Sequence, residues 1–139
     1  NKQRKIPKGR MKMAFPHIVP LSPQVLSMLE QMRRISGDRE YVFPGVANPR
    51  EGISPDSLRM ALRRLGIDKD TLTTHGLRHT ASTQLHEQGF NSDAIERQLS
   101  HGDKNKIKAT YNHAQYLDER RDMMNKWSDF LTKIKGNYA

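Results

Sequence analysis

His75 and Arg78 stand three residues apart in the segment Thr74-His75-Gly76-Leu77-Arg78-His79-Thr80-Ala81-Ser82. On a helix that spacing sets both side chains on one face. An imidazole beside a guanidinium near a helix N-terminus makes an anion site, because arginine offers a planar fork of donors and the first backbone N–H groups are open. A capped helix with an incidental surface arginine accounts for the pair equally well when it is taken alone. His75 and His79 have the four-residue spacing of two metal ligands. Residue 76 is Gly rather than the Glu of a zincin helix, and no carboxylate ligand is evident nearby, so no metal is expected. His79 is expected to pack or to bond to backbone.

A second set follows: Leu99-Ser100-His101-Gly102-Asp103, then Ala109-Thr110-Tyr111-Asn112-His113. A histidine before glycine at a helix end is commonly just a terminal residue, and a tyrosine at helical spacing is more often packing than nucleophile. Tyrosine, with an unperturbed pKa of about 10, needs nearby cations or a base before its oxygen attacks anything.

The order of these pieces is more informative than any one of them. His-x-x-Arg, a Leu-x-His-Gly turn and a tyrosine ten residues after the histidine resemble the signature of the tyrosine recombinases. Lys12, seven residues before Val19-Pro20-Leu21-Ser22, falls where that family carries a catalytic lysine between two strands. The tail is similar to the integrases of prophages and genomic islands, through Tyr111-Asn112-His113-Ala114, Leu117-Asp118-Glu119-Arg120-Arg121, Met123-Met124 and Trp127-Ser128-Asp129-Phe130-Leu131. The resemblance covers nearly all of the chain after Lys8. The family also uses a first arginine, on a helix upstream of the lysine hairpin. Arg4 and Arg10 lie in the wrong context for it, so the chain reads as the catalytic part of a longer protein, lacking that arginine and the separate core-binding domain.

The resemblance implies a mechanism. The Tyr111 hydroxyl would attack a scissile phosphate, giving a 3′-phosphotyrosine and a free 5′-hydroxyl. Arg78 and His101 would stabilise charge on the non-bridging oxygens. Lys12 would protonate the leaving oxygen, and His75 would act as general acid or base. No metal or nucleotide cofactor is implied. The implied partners are double-stranded attachment-site DNA, further copies forming a tetramer on it, and accessory directionality or DNA-bending proteins, in a bacterial cytoplasm at the nucleoid. The rival nucleophile, Tyr116, lies five helical steps from Tyr111 and so on another face, with neighbours that suggest packing.

The elements that must position these groups are legible from local signals. Asn1 to Arg10, rich in lysine and arginine, reads as a solvated arm or a strand end, and Met11 to Leu21 as a β-hairpin or paired edge strands interrupted by Pro16. Ser22-Pro23 starts a helix that Gly37 stops, and Ser54-Pro55 starts another that ends at Gly66. Tyr41 to Gly45 is a short extended piece and a turn. Thr74 is expected to cap a third helix running to Gly89, and Ser92, with Glu96 nearby, to open a short fourth to about Ser100. A fifth covers Ile107 to His113, and a sixth Leu117 to Ile134 with Met123, Met124, Trp127, Phe130 and Leu131 as core. The expected fold is α+β, mainly α: a basic arm and hairpin over 1–21, a helical catalytic core over 22–116 and a C-terminal helix over 117–135.

Composition is consistent with that reading. The 139 residues carry a formal charge of +9, favouring a polyanionic partner. Lys104, Lys106 and Lys108 would follow phosphates without reading sequence. With 35% hydrophobic and 6% aromatic residues the core must be lean, and without cysteine there are no disulfides, thiolate ligands or cysteine nucleophiles. No apolar run is long enough to span a membrane. Two alternatives stay open on sequence: a non-catalytic DNA-binding module such as a helix-turn-helix regulator, and an integrase remnant without activity. A type IB topoisomerase shares the chemistry, but the segment after Tyr111 is less like one.

Overall fold

Proline at the first turn and glycine just past the last one bound the first two helices of this chain. The computed structural model describes residues 3–6, 17–100 and 116–137. Helix α1 spans Pro23–Ser36, α2 Pro55–Arg64, α3 Thr74–Glu87, α4 Ser92–Gln98 and α5 Leu117–Asn137. Pro23 and Pro55 open their helices, where the missing N–H costs nothing and φ is already helical. Gly37 and Gly89 follow α1 and α3 at φ +62° and +77°, a conformation in which any side chain would be strained. The helix expected over Ile107 to His113 lies outside the described residues.

One cap differs from expectation. The Thr73 hydroxyl, not Thr74, accepts the Gly76 N–H at 2.9 Å, so α3 starts at Thr74 itself, one residue earlier than a Thr74 cap would set it. Ser92 opens α4 as expected, and Asn91 before it caps the helix by accepting the Asp93 N–H at 2.9 Å.

The β element is a two-stranded antiparallel pair, β1 (Gln3–Ile6) with β2 (His17–Pro20), in register Gln3↔Pro20, Arg4↔Val19, Lys5↔Ile18 and Ile6↔His17. Its first strand therefore lies in the basic arm rather than after Met11. Cationic composition signals solvation, and a strand in a two-stranded ribbon can be both solvated and paired. The extended piece expected at Tyr41 to Gly45 forms a single bridge, Pro44↔Gly52, closed by the Gly45 N–H to the Glu51 carbonyl at 2.8 Å.

The chain divides into two units, one made of residues 1–23 with 82–139 and the other Gln24–Ala81. In the first, Leu85, Ile95 and Met123 meet from α3, α4 and α5, with Phe90, Leu99, Met124 and Trp127 packed around them. Phe130 stacks on Trp127 at 5.6 Å between ring centroids. Leu131, expected in this core, is 46% exposed: it stands one turn beyond Trp127 and is not among the residues packed on the cluster. The second unit buries no hydrophobic side chain among its described residues, and Ile35, Leu58 and Leu65 are exposed there.

Truncating Leu85 to Ala should cost about 2–5 kcal/mol, the usual loss for a buried leucine that leaves a cavity. Leu131→Ala should change stability by less than about 1 kcal/mol. Urea midpoints of the two variants check the difference.

Candidate active site

The approach to α3 is built from polar contacts. Arg63, near the end of α2, donates through Nη1 to the carbonyls of Ile67 and Leu72, the latter at 3.3 Å. Asp68 accepts the backbone N–H groups of Asp70 at 3.0 Å and Thr71 at 2.6 Å. Hydrogen bonding from Thr71 is the chief reason its carboxyl sits below the usual carboxylate range. The turn is thus held by a carboxylate that stays ionised well into acid. That contribution is present above the ordinary carboxylate pKa and is lost as pH falls through the lowered value.

From this turn the chain enters α3 at Thr74. The Leu77 N–H reaches the Thr73 carbonyl at 3.1 Å, and the Thr80 hydroxyl returns to the Gly76 carbonyl at 3.1 Å. At Gly76 a Cβ would lie 3.2 Å from the Thr73 hydroxyl oxygen, so the smallest residue leaves the cap undisturbed. His75 lies in the first turn and Arg78 three residues on, His75 exposed and Arg78 half-buried. The two share a face at the positive end of a helix dipole, an arrangement suited to an anion.

His79 does not pack inward. It is exposed, and its ring meets that of His75 edge-on, with centroids 4.5 Å apart and planes at 89°. One helical turn separates the two rings, so side-chain direction on α3 brings them together. Among the described residues, no group of three or more histidine, cysteine, aspartate or glutamate side chains is placed to hold a metal ion.

Lys12, His101 and Tyr111, the other three residues singled out from the sequence, lie outside the described residues, as do Lys104, Lys106 and Lys108. The elements that lead to them are described. β2 begins at His17, five residues after Lys12. α4 ends at Gln98, and Ser100, immediately before His101, takes a left-handed φ of +52°. Tyr116 stands at φ +46° just before α5, and its carbonyl accepts the Arg120 N–H at 2.7 Å. It therefore lies at the cap of α5 and not within the helix.

Sequence reasoning gave Arg120 no role beyond the resemblance. The residue is fully buried: Nε donates to Gln98 Oε1 at 2.9 Å, and Nη2 donates to the Ile18 carbonyl at 2.6 Å. Burial, reinforced by neighbouring Arg97, lowers its pKa to about 10, which leaves it cationic at neutral pH. A signal for it existed. Arg120 sits three and seven residues before Met123 and Trp127, in phase with the apolar stripe of α5. An arginine on a buried stripe must find acceptors.

The family model described as the phage integrase family matches residues 1–118. The chain is 45% identical over 127 residues to the prophage integrase IntA of Escherichia coli K12, covering 91% of this chain and 30% of that protein. It is 44% identical over 131 residues to the integrase of Enterobacteria phage P4, covering 92% and 30%. The integrase of Shigella phage Sf6 is 37% identical over 116 residues, covering 83% and 30%. The chain thus spans about 30% of the length of these relatives. No solved structure matches it. No helix among the described residues is long and apolar enough to cross a membrane.

Replacing Thr73 by Ala should destabilise the protein by about 1 kcal/mol, the usual loss for an N-cap hydroxyl, while Thr73→Ser should retain most of it. Urea unfolding at unchanged m-value is the measurement.

Proposed function

Because the chain belongs to the phage integrase family, we propose that it supplies the strand-cleaving residues of a site-specific DNA recombinase, acting through a covalent phosphotyrosine. The observation that carries this reading is the ordered presence of Lys12, His75, Arg78, His101 and Tyr111 inside the matched region. It gains support from His75 and Arg78 sharing one face of the first turns of α3.

In the proposed reaction the Tyr111 oxygen forms a bond to phosphorus as the bond to the 5′-oxygen breaks. The tyrosine proton passes to a base, the role assigned to His75, and Lys12 gives a proton to the departing oxygen. Arg78 and His101 donate to the non-bridging oxygens, where charge accumulates as the phosphorus becomes five-coordinate. The energy of the broken ester is kept in the phosphotyrosine, so a second 5′-hydroxyl can reverse the step and seal a different strand. The family's chemistry uses two arginines. Arg78 supplies one, and the proposal assigns the other to polypeptide upstream of residue 1, so residues 1–139 alone should cleave weakly or not at all. The substrate is double-stranded attachment-site DNA, integrated or excised by a tetramer with accessory directionality or DNA-bending proteins, in the bacterial cytoplasm at the nucleoid. The formal charge of +9 suits that polyanion.

The test is covalent capture of nicked attachment-site DNA by the full-length protein. Tyr111→Phe should abolish the adduct while leaving DNA binding within a few-fold. A variant that still forms it would remove Tyr111 as nucleophile, and a wild-type protein that binds without ever forming an adduct would favour a DNA-binding module. Arg78→Ala should slow cleavage by about 10²–10³-fold, the usual loss for one donor to a transition-state oxyanion. Lys12→Ala should be slow on ordinary DNA but recover when the leaving oxygen is replaced by sulfur. A thiol has a pKa near 8.5 and departs as the thiolate without a proton.

A further inference from the structure

Among the side-chain contacts of the described residues, one gathers three elements at a point. Arg120 is 0% exposed and reaches Gln98, the last residue of α4, and Ile18, in the middle of β2, while its own N–H closes the first turn of α5 on Tyr116. These are the ends of chain from which three of the proposed reacting groups depart. Lys12 precedes β2 by five residues, His101 follows Gln98 by three, and Tyr111 precedes Tyr116 by five.

We propose that Arg120 is a positioning residue for strand cleavage, setting β2, the end of α4 and the start of α5 in one register and so fixing where Lys12, His101 and Tyr111 begin. This rests on the strand-cleaving role proposed for those three residues. The chemistry of the contact supports it. A guanidinium is planar, with donors in fixed directions, so bonds from Nε and Nη2 to two separate acceptors specify angles as well as distances. An apolar side chain of similar length would fill the space without specifying either. Burial and the nearby Arg97 both oppose the charge. A buried charge is seldom the cheapest way to gain stability. A demand for fixed geometry explains the choice better.

The test uses the full-length protein with Arg120→Met, Arg120→Lys and Gln98→Leu beside Tyr111→Phe, measuring unfolding, DNA affinity and single-turnover cleavage at saturating DNA. The expected result is that Arg120→Met binds DNA within about 3-fold of wild type yet cleaves about 100-fold more slowly, since a displacement near 1 Å costs on that order. Gln98→Leu should fall in the same direction, and the double variant should be no worse than Arg120→Met, as for two partners in one contact. Arg120→Lys, which keeps charge but not the fork, should recover little. Sulfur in place of the leaving oxygen should restore Lys12→Ala far more than Arg120→Met, because the latter misplaces more than the proton donor.

Wild-type cleavage by a folded Arg120→Met, or a cleavage loss that simply follows the fraction unfolded, would overturn the positioning role. Should Arg120→Met fail to fold, Gln98→Leu decides, because it removes one bond and leaves the bond to Ile18. A Gln98→Leu protein that folds and cleaves normally would overturn the proposal. If Tyr111→Phe still forms the adduct, the strand-cleaving assignment fails first and the positioning role with it. An inert Tyr111→Phe beside a fully active Arg120→Met defeats the positioning role alone.

Discussion

The buried guanidinium of Arg120 bonds α5 to the end of α4 and to β2, three elements of the unit formed by residues 1–23 and 82–139. Its bonds join residues 22 and 102 positions apart in sequence, so they close chain segments that local propensity leaves independent. A second buried polar contact, the Ser22 and Ser128 hydroxyls at 2.6 Å, joins the segment after β2 to α5 across 106 positions within the same unit. Hydrogen bonds of this kind contribute only about 0.5–1.5 kcal/mol each, or up to about 3 when one partner is charged. Their larger consequence is negative: with one partner removed, a buried donor or acceptor is stranded, so competing arrangements are penalised more than the native one is rewarded.

Such contacts suit a chain with few apolar residues. With 35% hydrophobic composition, only Leu85, Ala94, Ile95 and Met123 are buried hydrophobics among the described residues. Packing against so few side chains supplies cohesion but little direction, because dispersion and burial depend weakly on angle. The approach to α3 follows the same economy within Gln24–Ala81. Arg63 holds two carbonyls, Asp68 gathers two N–H groups, and Thr73 caps the helix on which His75 and Arg78 stand.

Much of this was legible in the sequence, and the divide is physical. Ser22-Pro23, Ser54-Pro55, Gly37, Gly66 and Gly89 report backbone preferences that act within a few residues, so the helices they bound fall close to where they were expected. His75 and Arg78 on one face follow from the period of a helix alone. The choice of Thr73 over Thr74 as cap turns on one residue's backbone angle, which composition does not encode. The pairing of Gln3–Ile6 with His17–Pro20 and the destination of the Arg120 guanidinium are long-range facts. A strongly basic stretch and an arginine inside a charged run both read as solvated until a partner far along the chain claims them. His79 is the converse case: a histidine expected to find backbone or core meets instead the ring one turn away.

In the proposed enzyme these two kinds of feature would divide the work of a phosphate-handling site. Stabilising an anionic transition state requires donors already pointing at the oxygens, since turning them during the reaction would return the cost that water exacts. A helix N-terminus supplies that orientation locally, and His75 and Arg78 take theirs from the first turns of α3. Lys12, His101 and Tyr111 each lie a few residues from the end of a strand or helix. In the positioning role proposed for Arg120, the bonds that hold those ends set where these groups start. In the proposed enzyme the local part of the site is therefore written in a motif of four residues, His75 to Arg78. The non-local part depends on a residue that carries no chemistry of its own, which is why Arg120 is silent when the sequence is searched for reacting groups alone.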